Sequence, residues 1–168
     1  MTGMNKIEKH TRQWKPNVTV AAIVHRGDRF LLVEEEADGC VVLNQPAGHL
    51  EHNEHLLDAV RREMLEETAR DFRPQCLVGV YLYPHQLAAD ITYLRFCFAG
   101  SCDERDPGRE LDEGILRTLW LSREELEENR ERLRSPLVMK CIDDYLAGRR
   151  YPLDVLDRSL FPGSGCSA

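Results

Sequence analysis

Glu54, Glu63, Glu66 and Glu67 lie close together in the chain, with Arg62 among them and Gly48 ahead of them. On a helix, residues three and four apart share a face, so Glu63, Glu66 and Glu67 would bring their carboxylates into one small volume. Like charges held that close repel. Either a cation neutralises them or some of the carboxyls stay protonated, and hard oxygen donors of this kind suit Mg2+, with Mn2+ as a substitute. The plainer alternative is a solvated acidic helix face. Three features weigh against it. Leu57, Val60 and Met64 recur at helical spacing and give the same helix a core-facing side. Glu54 stands about two turns before Arg62, so the two can meet and leave the later glutamates free. In Gln45-Pro46-Ala47-Gly48 a strand must turn, and a glycine lets its backbone come close to a ligand. Asn53 is placed to cap the helix start.

These residues resemble the Nudix family. Its box reads glycine, five residues, glutamate, seven residues, Arg-Glu, an apolar residue, any residue, Glu-Glu, any residue, glycine, an apolar residue. The chain supplies Gly48, Glu54, Arg62, Glu63, Met64, Glu66 and Glu67 at that spacing and departs at Ala69 and Arg70. Both departures fall outside the glutamates and bear on how the helix ends, since alanine is strained in a left-handed cap that glycine tolerates. The resemblance implies a Nudix α/β/α sandwich, with a mixed β-sheet and the Nudix helix. Further stretches, among them Pro16 to Ala21, Asn44 to Glu51, Leu94-Arg95-Phe96, Leu133 to Val138 and Gly148 to Leu153, resemble a bacterial phosphatase branch of the family. That branch implies a Mg2+-dependent hydrolase of nucleoside tri- and diphosphates that releases orthophosphate. It also implies activity on thiamin-related pyrophosphates such as hydroxymethylpyrimidine pyrophosphate.

A diphosphate resists attack because its oxygens are already negative, so a catalyst must neutralise charge and position a nucleophile. On this reading Glu63 and Glu67, with Glu66 beside them, hold the cation, and the Gly48 carbonyl completes its shell. Glu54 and Arg62 orient the helix through a charge-assisted contact. The base is open between Glu63 and a later acid, Asp112 or Glu113. Substrate phosphate needs positive donors, and His49, Arg95 and Arg134 are the candidates, with Arg149 and Arg150 as further ones. Tyr81, Tyr83 and Tyr93 could stack a ring or serve only cross-strand packing. Other functions stay open. One is a pyrophosphohydrolase that releases pyrophosphate or cuts a sugar or dinucleotide diphosphate. Another is a silent Nudix-fold binding module, which the complete glutamate set disfavours.

The chain of 168 residues fits one domain with a sizeable core. A formal charge of -7 argues against broad binding to nucleic acid and leaves a small-molecule phosphate as the expected partner. The oligomeric state is open between monomer and weak homodimer. Six cysteines, Cys40, Cys76, Cys97, Cys102, Cys141 and Cys166, form no C-x-x-C pair and read as reduced thiols of a cytoplasmic protein. Neither a signal peptide nor a membrane-spanning apolar run is expected.

The elements that must position these residues follow from periodicity. Residues 1–13 read as a flexible leader, 14–157 as the Nudix domain and 158–168 as a flexible tail. Val18 to Val24 and Phe30 to Glu35 read as a hairpin turning at Arg26-Gly27-Asp28, with Glu34, Glu35 and Glu36 at its solvated end. Cys40 to Asn44 is a short strand, and Pro74 is placed to help stop the motif helix. Leu77 to Tyr83 should pair with Thr92 to Ala99, and Ile115 to Leu121 reads as the last strand. Ser122 with Glu125 has capping-box spacing. A final helix begins at Pro136 and closes at Gly148.

Overall fold

A computed structural model describes residues 14–85, 88 and 90–161. In chain order the strands are β1 (Asn17–Ile23), β2 (His25–Arg26), β3 (Arg29–Ala37), β4 (Cys40–Asn44), β5 (Ala47–His49), β6 (Phe72–Pro84), β7 (Thr92–Cys102) and β8 (Ile115–Ser122). The helices are α1 (Leu56–Thr68), α2 (Arg123–Glu128) and α3 (Leu137–Leu146). A mixed sheet runs β5-β1-β7-β6, in which only β1 and β7 are parallel. A second, antiparallel sheet holds β2, β3 and β4, with β8 on the other side of β3.

β1 shows why the first sheet needs helices on both faces. Its side chains alternate, and every one from Val20 to Ile23 is buried. Val20 and Ala22 pack with Val60 and Met64 of α1. Ala21 and Ile23 pack with Val138 and Ile142 of α3. A strand covered on both sides reads as one continuous apolar run, and each large side chain so buried contributes roughly 1.5–3 kcal/mol. This is the α/β/α sandwich expected from the sequence. Among the described residues no helix is long and apolar enough to cross a membrane.

Several local expectations are corrected. Val18 to Val24 forms no ladder with Phe30 to Glu35, although the Leu31 N–H donates to the Val24 carbonyl at 2.9 Å. The turn at Gly27 joins β2 to β3, while β1 pairs with β5 and β7 in the other sheet. Glu34 is not at a solvated end, for it is buried against Arg117 and Arg132. Asn53 does not cap α1. His55 does, its ring nitrogen accepting the Leu57 N–H at 3.2 Å. Pro74 lies inside β6, beside a bulge, and α1 ends earlier at Ala69. Ala69 does take the left-handed cap, with φ 54°. Arg70, where the family has an apolar residue, is buried with its guanidinium 5.8 Å from the Trp120 ring centroid and donates to the Asp103 carbonyl. The capping box of Ser122 and Glu125 is present. The leader at 1–13 and the tail from 162 onward lie outside the described residues. Arg158, within the expected tail, pairs with Asp58 of α1 at 2.6 Å.

Candidate active site

β5 delivers Gly48 to the flank of α1. A Cβ at residue 48 would run into the Glu63 carboxyl, so glycine lets this backbone lie against that side chain without displacing it. Helical spacing then gathers the acids. Arg62 stands among them and holds Glu54 with both ends of its fork, Nε to Oε1 at 2.8 Å and Nη2 to Oε2 at 2.9 Å. Its Nη1 donates to Glu63 at 2.6 Å and to Glu66 at 3.1 Å, and its Nη2 to the His49 carbonyl at 3.0 Å. Arg62 thus ties the box together from both sides.

The charges in this cluster are under strain. Arg62 holds the Glu54 carboxyl below its usual range and is itself pushed further up by Glu54. Burial pushes Glu63 up, against the pull of Arg62, and the charges of Glu66 and Asp112 push it further. Glu67 is pushed up to about 9 by burial, despite a 2.8 Å bond from the Ala47 N–H, and Glu63, Glu35 and Asp112 add to the shift. A buried carboxyl among anions relaxes when a cation arrives. Hard oxygen donors and a backbone that can approach Glu63 fit a divalent ion. Among the described residues the carboxylates do not already meet as a closed cage. Glu63 and Glu66 turn onto Arg62, and Glu67 turns onto Ala47.

Of the two later acids, Asp112 is tied to the helix end, its N–H donating to the Glu66 carbonyl at 3.0 Å. Its charge is felt at both Glu63 and Glu67. Both Asp112 and Glu113 are exposed in the loop before β8.

On the other side of Gly48 opens a cavity of about 360 Å3. His49, Arg95 and Arg134 all line it, so the three phosphate-binding candidates proposed from sequence share one space with Gly48. Arg95 is only 8 % exposed, and its Nε and Nη1 have no hydrogen-bond partner among the described residues. Tyr83 and Tyr93 line the cavity as well. Tyr81 does not, for its hydroxyl donates to Asp144 at 3.0 Å. Arg149 pairs with Asp144, and Arg150 lies over the Tyr145 ring at 3.5 Å, both away from the cavity.

Sequence reasoning missed Glu35, Asn44 and Thr19, which also line this space. A signal existed for Glu35. In a strand Glu34 and Glu36 share one face and Glu35 takes the other, so the acidic run had to split.

The comparisons with known proteins agree with this geometry. The NUDIX domain model matches residues 15–140. The chain is similar to Phosphatase NudJ of Escherichia coli K12, 42% identical over 144 residues that cover 85% of this chain and 92% of the relative. It is also similar to a solved NUDIX hydrolase from Nitrosomonas europaea, 50% identical with a TM-score of 0.83, covering 85% and 97% of the two chains. A UDP-X diphosphatase structure shares the fold at 15% identity, with a TM-score of 0.67 over 90% of this chain and 75% of its own. Members hydrolyse phosphoric anhydrides of small molecules and generally use divalent metal ions. The chain belongs to the Nudix hydrolase family.

Proposed function

We propose that this protein is a Mg2+-dependent phosphatase of nucleoside tri- and diphosphates that releases orthophosphate and also accepts thiamin-related pyrophosphates such as hydroxymethylpyrimidine pyrophosphate. The observation that carries the reading is one cavity, lined by His49, Arg95 and Arg134, that reaches the acidic helix through Gly48. The likeness to Phosphatase NudJ supports the choice of product.

In this reading Glu63, Glu66, Glu67 and the Gly48 carbonyl hold the cation. When bound, such an ion neutralises phosphate charge and makes a nearby water more acidic. Arg95 and Arg134 take the remaining phosphate oxygens, and His49 closes the phosphate side of the cavity. Buried donors such as Nε and Nη1 of Arg95, which have no partner among the described residues, strengthen an anion's binding because they lose nothing to other bonds. Arg62, fixed by Glu54, keeps Glu63 and Glu66 from drifting apart. Asp112 takes the proton of the attacking water, since its charge reaches both Glu63 and Glu67. The five described cysteines are free thiols, which accords with a cytoplasmic setting.

The test is orthophosphate release from nucleoside tri- and diphosphates and hydroxymethylpyrimidine pyrophosphate with Mg2+, with and without added inorganic pyrophosphatase. Release without the helper enzyme is expected. Release only with it would mean that pyrophosphate is the product and that the chain is a pyrophosphohydrolase.

A further inference from the structure

A carboxylate on the wall of a cavity built for phosphate needs a reason, because it repels the oxygens that Arg95 and Arg134 attract. Glu35 is such a group. Its side chain is 13 % exposed, and its Oε1 is held twice, by the Asn44 Nδ2 at 3.0 Å and by an Arg134 Nη1 at 3.4 Å. Among the described residues Oε2 takes no hydrogen bond. Asn44 is buried in β4, and the bond to a carboxylate fixes which end of its amide faces Glu35. Oε1 is thereby anchored, and Oε2 is left as a charged acceptor beside the cavity.

The part of a substrate that faces Oε2 is therefore a hydrogen-bond donor and not a phosphate. The remaining wall says what carries that donor. Tyr93 lines the cavity with its ring centroid 6.4 Å from that of His49 and 6.2 Å from that of His85, and β-pairing sets Tyr83 opposite it. The His49 and His85 rings are tilted from the Tyr93 ring by 48° and 54°, and aromatic faces and edges of this kind pack against a planar ring. We infer that Glu35 is a specificity-determining residue that accepts a hydrogen bond from an amino group on the substrate's heterocycle, with Asn44 as its positioning residue. The substrates are then phosphoric anhydrides of amino-bearing rings, favoured over those with a carbonyl at the same place. This rests on the proposed phosphatase reading and narrows it.

Cytidine and uridine triphosphates share ribose and phosphates; their rings differ at C4, amine in the first and carbonyl in the second, and at the adjacent N3, an acceptor in the first and an N–H in the second. The parent protein should show kcat/KM at least about ten-fold higher for the cytidine nucleotide, since a site built to bond one group is left unpaired by its replacement. Glu35→Gln keeps an acceptor for Asn44 and puts an N–H where Oε2 was, so the preference should shrink or reverse toward uridine. Equal kcat/KM for the two nucleotides in the parent would overturn the inference while leaving the phosphatase reading intact. So would a Glu35→Gln variant that slows both alike. A variant that needs much more Mg2+ for half-activation would also overturn it and assign Glu35 to holding the cation, because its charge is felt at Glu67. If neither these nucleotides nor the other nucleoside phosphates and hydroxymethylpyrimidine pyrophosphate were hydrolysed, the phosphatase reading would fall. Calorimetric binding of cytidine and uridine monophosphates would then decide, with tighter cytidine binding supporting Glu35 and equal binding overturning it.

Discussion

Glu67 is held in place against its own chemistry. Burial and three neighbouring acids push its carboxyl up to about 9, and among the described residues the Ala47 N–H is what offsets this. Glu67→Gln keeps an acceptor for that N–H and removes the charge. The metal-free variant should therefore melt no lower than the parent. Adding Mg2+ should raise the melting temperature of the parent, as any ligand of the native state does, and leave the variant unmoved. Hydrolysis should fall on the order of 100-fold or more. An equal Mg2+-induced shift in both proteins would remove Glu67 from the cation's ligands. Gly48→Ala tests the other wall of the site. Its new Cβ meets the Glu63 carboxyl, and a displacement of about 1 Å there should cost roughly 100-fold in kcat, with the circular dichroism of the fold unchanged. The glutamates were legible because a helix converts sequence spacing directly into a shared face. Arg95, His49 and Arg134 were nameable as phosphate-binding candidates, but their meeting depends on strand pairing that no local pattern encodes. Thr19 of β1 faces Arg95 of β7 on one side and His49 of β5 on the other. Glu35 was hidden because a run of acids looks solvated until the strand's two faces are told apart.

At the scale of the element, α1 is started and stopped by residues that its sequence only half announces. Its end was readable, since alanine sits where the family has glycine, and Ala69 does adopt the left-handed cap at φ 54°. Ala69→Gly should relieve roughly 1–2 kcal/mol of steric cost and lose part of it, about 0.4–1 kcal/mol, to the greater freedom of the unfolded chain. A net rise in thermal midpoint of about 2 °C is expected for a chain of this size. A fall would mean that the Ala69 methyl, buried at 1 % exposure, contributes more by packing than its backbone loses by strain. The helix start was not readable. Asn53 has the better capping chemistry in isolation, yet it takes φ 59° in the preceding turn, and His55 caps instead. The Phe161 ring meets His55 edge-on at 5.1 Å, and that contact comes from the far end of the described chain. β1 likewise looked like half of a hairpin because its neighbour in sequence is a strand. Its real partners lie elsewhere because both its faces are apolar and need a helix on each side.

At the scale of the whole molecule, the second sheet is joined across its strands by a buried acid. Glu34 of β3 takes Arg117 of β8 at 2.6 Å and Arg132, in the turn after α2, also at 2.6 Å. The first hydrogen bond from Arg117 and then that from Arg132 hold its carboxyl below the usual range, against the opposing effect of burial. The sign follows from linkage. An unfolded glutamate titrates near 4.5, and the folded one titrates lower, so this group's contribution to stability is complete above that value. It is lost as pH falls through the folded pKa. The arginines are 62 % and 44 % exposed on their side chains, so solvent screening limits the contribution to about 1 kcal/mol. Glu34→Gln should therefore lower the denaturation midpoint at pH 7 and show a shallower loss of stability between pH 5 and pH 3, in windows set by roughly the carboxylate range. Urea titrations of both proteins across that range give the measurement. If the two curves stayed parallel down to acid pH, the ion pairs of Glu34 would contribute nothing that depends on its charge, and the joint between β3, β8 and the turn after α2 would rest on packing alone.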